Sequence, residues 1–337
     1  MPTQLVDRRP QLNQGQLVAS MVPPPRFDDV RFSTYRPDPA EPSQAAAVVA
    51  AEAFARQINE RQPAKRGVFG RKAPVTGAGL YFDGGFGVGK THLLASLWHA
   101  VDGLKTYGTF VELTHLVGAL GFAATVERLS THRLLAIDEF ELDDPGDTMV
   151  VSRLLSELAA TGVSVAATSN TLPGQLGEGR FAADDFLREI QVMAERFSVL
   201  RINGPDFRHR DLPAAPDPVS DEDLAAVAAT VDGATLDQFD SLCEHLATLH
   251  PSRYGALIHD VPAVYLSGVH AATDQAMALR LVVFADRLYD ADVPVIVSGA
   301  PLDSVFTPEM LAGGYRKKYL RATSRLIALS RLQPAAS

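Results

Sequence analysis

The sequence predicts an α/β protein, a three-layer domain built on a parallel sheet and followed by a second α/β part. Two observations carry the prediction. From Gly79 onward, short apolar runs alternate with stretches of helical periodicity, the pattern of a parallel sheet covered on both faces. The first of those runs, Gly79-Leu80-Tyr81-Phe82-Asp83, enters a glycine-rich turn that opens directly into an amphipathic helix over residues 92–100.

The elements follow in chain order. Residues 1–28 are polar, include Val22-Pro23-Pro24-Pro25 and lack periodicity, which predicts a flexible tail with order beginning near Phe32. Helical spacing over 44–61 precedes a loop over 62–77 that carries Lys65, Arg66, Arg71 and Lys72, read as solvated rather than as a docking patch. Strands are expected at 79–83, 109–113, 134–138 and 163–168, then a helix over 183–197 and a fifth strand at 199–202. Residues 29–210 thus form the core domain, and the proline-rich stretch 211–220 reads as a linker. The C-terminal part, 221–332, is again α/β, with helices over 236–250 and 274–290 and strands at 263–266 and 293–298.

Composition narrows the class. A chain of 337 residues builds a full core without metal or disulfide staples, and the single thiol, Cys243, has no internal partner. No apolar run reaches the length of a membrane span and the N-terminus has no targeting pattern, so a cytoplasmic protein without an integral membrane segment is expected. The net charge of -9 argues against broad binding to nucleic acid or anionic lipid.

The glycine-rich turn is the most specific motif. Gly84-Gly85-Phe86-Gly87-Val88-Gly89-Lys90-Thr91 matches the P-loop pattern G-x-x-x-x-G-K-[ST] at every fixed position, in the required strand-to-helix context. Such a loop turns successive backbone N–H groups toward phosphate oxygens at a helix N-terminus, so these eight residues and His92 are the expected contacts of a nucleoside triphosphate. Lys90 is expected at the β- and γ-phosphates, and Thr91 as a hydroxyl ligand of Mg²⁺. Leu134-Leu135-Ala136-Ile137 supplies an apolar strand ending in Asp138-Glu139. Asp138 is then the second metal residue and Glu139 the base that polarises the attacking water. The fourth strand ends in Thr168-Ser169-Asn170. Asn170 reads either as a sensor of the γ-phosphate or as a turn cap. Among Arg180, Arg188 and Arg196, the last is best placed to serve a neighbouring subunit's site, although an arginine in a last helical turn also simply complements the dipole.

With these motifs in place the chain resembles the AAA+ superfamily and, within it, the ZapE-type cell-division ATPases and their mitochondrial relatives, the lactation-elevated or Afg-type ATPases. The resemblance extends over residues 32–326. It rests on Asp138-Glu139-Phe140 with Asp144, Asp147 and Met149, on Arg153-Leu154, on Ala167 to Asn170, and on Phe186-Leu187 with Ile190. Further matches are Asp206-Phe207-Arg208, Phe239 with Leu242-Cys243, Arg280 with Asp286 and Tyr289-Asp290, and Thr323-Ser324-Arg325-Leu326. The resemblance implies an AAA+ P-loop ATPase using ATP and Mg²⁺, Arg196 as the arginine before the fifth strand, and Arg325 as a second sensor over the phosphates. It departs from the family at Arg321-Ala322 and at Leu279-Arg280, and in having no arginine close before Phe186. By resemblance the partner is a protein, FtsZ or another division-site component, and the working form a homo-oligomer recruited there. Two other readings share the same nucleotide site: an ATP-gated helicase loader or DNA-associated switch, and a quality-control adaptor.

Overall fold

The structure is a computed structural model, and it describes residues 2–11, 14–61, 76–85, 87–140, 145–172, 194–204 and 214–334. The chain divides into two compact units, one formed by Asn13–Pro23 and Phe27–Phe207, the other by Met1–Leu12, Pro24–Arg26 and Arg208–Ser337.

The first unit contains, in chain order, α1 (Gln14–Ala19), α2 (Pro42–Glu60), β1 (Gly79–Gly84), α3 (Lys90–Ala100), β2 (Lys105–Thr109), α4 (Phe110–Leu120), α5 (Phe122–Leu129), β3 (Leu134–Asp138), α6 (Pro145–Ala160), β4 (Ser164–Ser169) and β5 (Phe197–Ile202). Its five strands are parallel, in the order β2-β3-β4-β1-β5. Side chains alternate across the sheet as the two-residue period of a strand requires. Leu80, Phe82, Leu134 and Ala136 pack with Ala51 and Phe54 of α2 and Leu93 and Leu97 of α3. Tyr81, Leu135 and Ile137 pack with Leu113 and Leu116 of α4 and Leu154 and Leu158 of α6. Helices on both faces explain why every residue of β3 and β4 is buried and why β3 reads as an apolar run up to Asp138.

The strand order positions the site. β4 lies between β1 and β3, with Asp83 opposite Ser169, Phe82 opposite Thr168 and Ala167 opposite Ile137. The end of β1, the Thr168-Ser169-Asn170 corner and Asp138-Glu139 therefore meet at the carboxyl edge of the sheet, where open α/β sheets bind ligands.

Three element boundaries differ from the sequence expectation. The second strand is Lys105–Thr109, and Phe110-Val111-Glu112-Leu113 opens α4 instead. Thr109 and Glu112 decide this by forming a capping box. The Thr109 hydroxyl accepts from the Glu112 N–H at 3.3 Å, and the Glu112 carboxylate accepts from the Thr109 N–H at 2.7 Å. The apolar residues 110, 113, 116 and 117 then fall on one buried helical face. The helix expected from Leu236 starts at Phe239, capped by the Gln238 side chain, and Thr235–Gln238 is a strand. The helix expected over 183–197 lies mostly outside the described residues, and Phe197 begins β5.

The second unit holds α7 (Asp221–Ala228), β6 (Thr235–Gln238), α8 (Phe239–Thr248), α9 (Tyr254–Leu257), β7 (Val264–Val269), α10 (Gln275–Asp290), β8 (Val295–Gly299), α11 (Pro308–Ala312) and α12 (Arg316–Leu329). Its parallel sheet runs β6-β7-β8. Cys243 is a core residue here, and burial pushes its thiol pKa up to about 12, which makes it an inert apolar side chain. Asp286 of α10 sits between two arginines of α12. Its carboxylate accepts from Arg321 at 2.7 Å and pairs with Arg325.

The first residues of the expected flexible tail, Met1–Leu12, are instead grouped with this unit. Thr3 pairs in parallel with Thr235, the Leu5 and Val6 N–H groups donate to the Asp237 carboxylate at 3.0 and 3.1 Å, and Arg8 donates to the Leu257 carbonyl. The Leu5 side chain is completely buried in the core, worth about 2 kcal/mol of apolar burial. Further on, Met21 is buried in the first unit, and its carbonyl accepts from the Tyr107 N–H. One anchoring leucine and a few main-chain bonds at a sheet edge hold such a segment, and neither leaves a periodic trace in the sequence. The basic residues Lys65, Arg66, Arg71 and Lys72 lie outside the described residues.

Candidate nucleotide site

The site is assembled from the ends of β1, β3 and β4 and the first turn of α3. Gly87 and Gly89 adopt φ of 80° and 86°, the left-handed region that glycine enters without steric cost, and this curls the chain from β1 into α3. Gly84 is small for another reason: a Cβ there would lie 2.4 Å from the Ile202 carbonyl of the neighbouring β5. Gly85 is exposed, Val88 is buried as a packing residue, and Phe86 lies outside the described residues.

Lys90 reaches back across the loop. Its ammonium donates to the carbonyls of Gly84 and Gly85 at 2.7 and 2.6 Å and to Asn170 Oδ1 at 2.8 Å. The lysine and the β4 corner are thus in direct contact. These three acceptors are neutral, weaker partners for an ammonium than an anionic phosphate oxygen.

Thr91 and Asp138 also meet, the threonine hydroxyl donating to Asp138 Oδ1 at 3.2 Å. Asp138 is buried, and Tyr107 donates to its Oδ2 at 3.1 Å while Thr168 Oγ1 donates to Oδ1. The donor set fits Mg²⁺: a hydroxyl and a carboxylate oxygen side by side are hard ligands, and Mg²⁺ takes one or two of these from protein and the rest from water and phosphate.

After Asp138 the backbone turns sharply. Glu139 has φ of 52°, uncommon for a side chain with a Cβ, and Thr168 holds the strained turn from two sides. Its hydroxyl accepts from the Glu139 N–H at 3.0 Å and its carbonyl from the Phe140 N–H at 2.7 Å. Phe140 is fully buried against Phe110 and Tyr81, which anchors the far side of the turn. The bend leaves Glu139 half-buried, directly after Asp138 in the chain.

Three contributors escape sequence reading. Tyr107 was hidden by the misplaced second strand, because its hydroxyl reaches Asp138 only when Lys105–Thr109 pairs with β3. Thr168 stood next to the more conspicuous Asn170. Asp83 is a buried carboxyl at the entrance to the loop. Burial pushes it above the ordinary carboxylate range, against the lowering effects of Arg201, Lys90 and the Gly84 N–H.

His92 faces the segment before α2 rather than the interior of the loop. Its Nε2 lies 3.0 Å from the Thr34 hydroxyl and 3.2 Å from the Arg31 carbonyl, and burial lowers its pKa, keeping the ring neutral. Arg196 is exposed in the turn before β5. Arg180 and Arg188 lie outside the described residues. Arg325 belongs to the second unit, where it pairs with Asp286 and its guanidinium stacks 5.1 Å from the Tyr289 ring centroid.

The chain is similar to several known proteins. The AFG1-like ATPase family pattern matches residues 12–230 and 217–334. Cell division protein ZapE of Escherichia coli (strain K12) is 28% identical over 294 residues, covering 74% of this chain and 76% of its own. Lactation elevated protein 1 homolog B of Danio rerio is 32% identical over 95 residues, 28% of this chain and 19% of its own. Among solved structures, AMPPCP-bound DnaA from Aquifex aeolicus aligns with a TM-score of 0.40 at 9% identity, covering 90% of this chain and 91% of that one. A family pattern spanning nearly the whole chain, on a parallel sheet whose P-loop and acidic strand flank β4, makes this protein a member of the AFG1-like ATPase family, an AAA+ P-loop ATPase that binds ATP.

Proposed function

We propose that the chain hydrolyses Mg²⁺-bound ATP at this edge of the sheet and uses turnover to remodel or regulate a protein partner in cell division, FtsZ or another division-site component. The observation that carries the chemical part is the meeting of the start of α3 with the ends of β3 and β4: Lys90 on Asn170, Thr91 on Asp138, and Thr168 on both Asp138 and the Glu139 backbone. When bound, Mg²⁺ neutralises phosphate charge, with Thr91 and Asp138 as its protein ligands. Lys90 exchanges its neutral carbonyl acceptors for phosphate oxygens, and the N–H groups of the loop hold the remaining charge. The Glu139 carboxylate accepts a proton from the attacking water, and Asn170, already within hydrogen-bond reach of Lys90, orients that water against the terminal phosphate.

Support for the division role comes from the similarity to the ZapE cell division protein, and no single helix among the described residues is long and apolar enough to cross a membrane. The test uses Glu139→Gln, which is expected to hold ATP without consuming it. Immobilised with ATP it should retain FtsZ polymer, and exchange into ADP should release it. Equal retention in ATP, ADP and no nucleotide contradicts the coupling, and retention of DNA in place of FtsZ favours the helicase-loader reading.

We also propose that the working form is a homo-oligomer in which Arg196, exposed before β5, serves a neighbour's site. Mixing Arg196→Ala with Lys90→Ala should then restore part of the activity that each lacks alone, because one supplies an intact P-loop and the other an intact arginine. A mixture no more active than its components would show that Arg196 acts within its own subunit.

A further inference from the structure

Outside the P-loop, the short stretch Phe32–Thr34 with Tyr35 packs directly against it. The Tyr35 hydroxyl donates to the Val88 carbonyl at 2.7 Å. The same ring lies on the face of Gly89, so closely that a Cβ there would sit 2.5 Å from Tyr35 Cε2, and it meets His92 edge-on with ring centroids 5.5 Å apart. The phenol is half-buried, and desolvation raises its pKa, so it remains a neutral donor across the physiological range.

The consequence lies in peptide geometry. The Val88 carbonyl and the Gly89 N–H belong to one trans peptide unit, whose C=O and N–H point in opposite directions. A donor that fixes the carbonyl on the Tyr35 side therefore fixes the N–H on the other. Gly89 at φ 86° is free to rotate, since it has no side chain to set the plane of that peptide. We infer that Tyr35 is a positioning residue for nucleotide phosphate: it orients the Val88–Gly89 peptide so that the Gly89 N–H is presented to the phosphate oxygens before nucleotide arrives. This rests on the reading of residues 84–91 as the ATP site, and assigns to the segment before α2 a part in building that site. The ring does the complementary work of excluding any larger residue at position 89.

Tyr35→Phe isolates the hydroxyl, because the ring contacts with Gly89 and His92 remain. Binding of ATP and of ADP should weaken by about three- to tenfold, the equivalent of one lost hydrogen bond. Turnover at saturating ATP should stay within about twofold of wild type, since the bond is made equally before and during reaction. The melting temperature of the nucleotide-free protein should move by less than about 2 °C. Unchanged affinity for both nucleotides overturns the inference. So does a weakened affinity accompanied by a fall of more than about 5 °C in the nucleotide-free melting temperature, which would make Tyr35 a general packing residue. A fall in saturated turnover with affinity preserved also overturns it. Lys90→Ala, run in parallel, separates the two levels. If it loses ATP while Tyr35→Phe binds as wild type, only the role of Tyr35 fails. If Lys90→Ala itself binds ATP normally, the site is elsewhere and both fail.

Discussion

Glu139→Gln should lower ATP turnover by about 10²-fold or more, the usual contribution of a positioned general base, while leaving ATP affinity near that of wild type. The split follows from geometry. Glu139 stands after the strained turn at the end of β3, past the metal-ligand pair, with its backbone held by Thr168. On the proposed mechanism its carboxylate serves the attacking water and not the phosphates already bound. Gln keeps the size and one acceptor oxygen but replaces the other oxygen with an NH₂ donor, so it cannot take a proton from the water. Lys90→Ala should do the opposite. Its ammonium spans the two glycine carbonyls and Asn170, the place into which charged phosphate oxygens come, so its loss removes ground-state binding and turnover falls with it.

Asp286→Ala is the substitution expected to cost most in stability, about 3–5 kcal/mol, because it removes a charged partner from a buried cation. Arg321 is 5% exposed and donates to Asp286 at 2.7 Å, with Arg325 on the same carboxylate. Without Asp286 both guanidinium groups lose their shared counter-charge in the core between α10 and α12. The wild-type protein should also show a matching acid dependence. Burial by itself pulls the Asp286 carboxyl up, but the charges of Arg321 and Arg325 outweigh it and hold the carboxyl below its ordinary range. A depressed folded-state pKa stabilises the fold above the unfolded value of about 3.9, and this contribution is lost as pH falls through the folded value. Urea unfolding at pH 7 should therefore separate Asp286→Ala widely from wild type, and the gap should narrow below about pH 4. A variant within about 1 kcal/mol of wild type at pH 7 would mean that the cluster is solvated and dispensable.

Much of the nucleotide edge was legible because its residues must occur together at fixed spacing. The P-loop requires glycine at left-handed positions and a lysine after them, and an acidic pair at the end of an all-apolar strand has few other uses. The strand order β2-β3-β4-β1-β5 comes from the structure, where β4 beside β1 lets Lys90 touch Asn170. Less legible were the features set by a single contact. Phe110-Val111-Glu112-Leu113 satisfies either a strand or the first turn of a helix, and the choice falls to the Thr109–Glu112 capping box. With that helix start misplaced, Tyr107 had no visible route to Asp138. The N-terminal segment lacks periodicity, yet Leu5 in a core pocket and two N–H bonds to Asp237 are enough to order it. Tyr35 carries no motif at all, and its importance is a matter of where its hydroxyl ends.

The central claim, that one edge of this sheet both binds and hydrolyses ATP, is tested most directly by recording ATP binding and phosphate release on the same preparations of wild type, Lys90→Ala and Glu139→Gln. Wild type should show binding and release, Lys90→Ala neither, and Glu139→Gln binding without release. Normal phosphate release from Glu139→Gln, or normal ATP binding by Lys90→Ala, would contradict it.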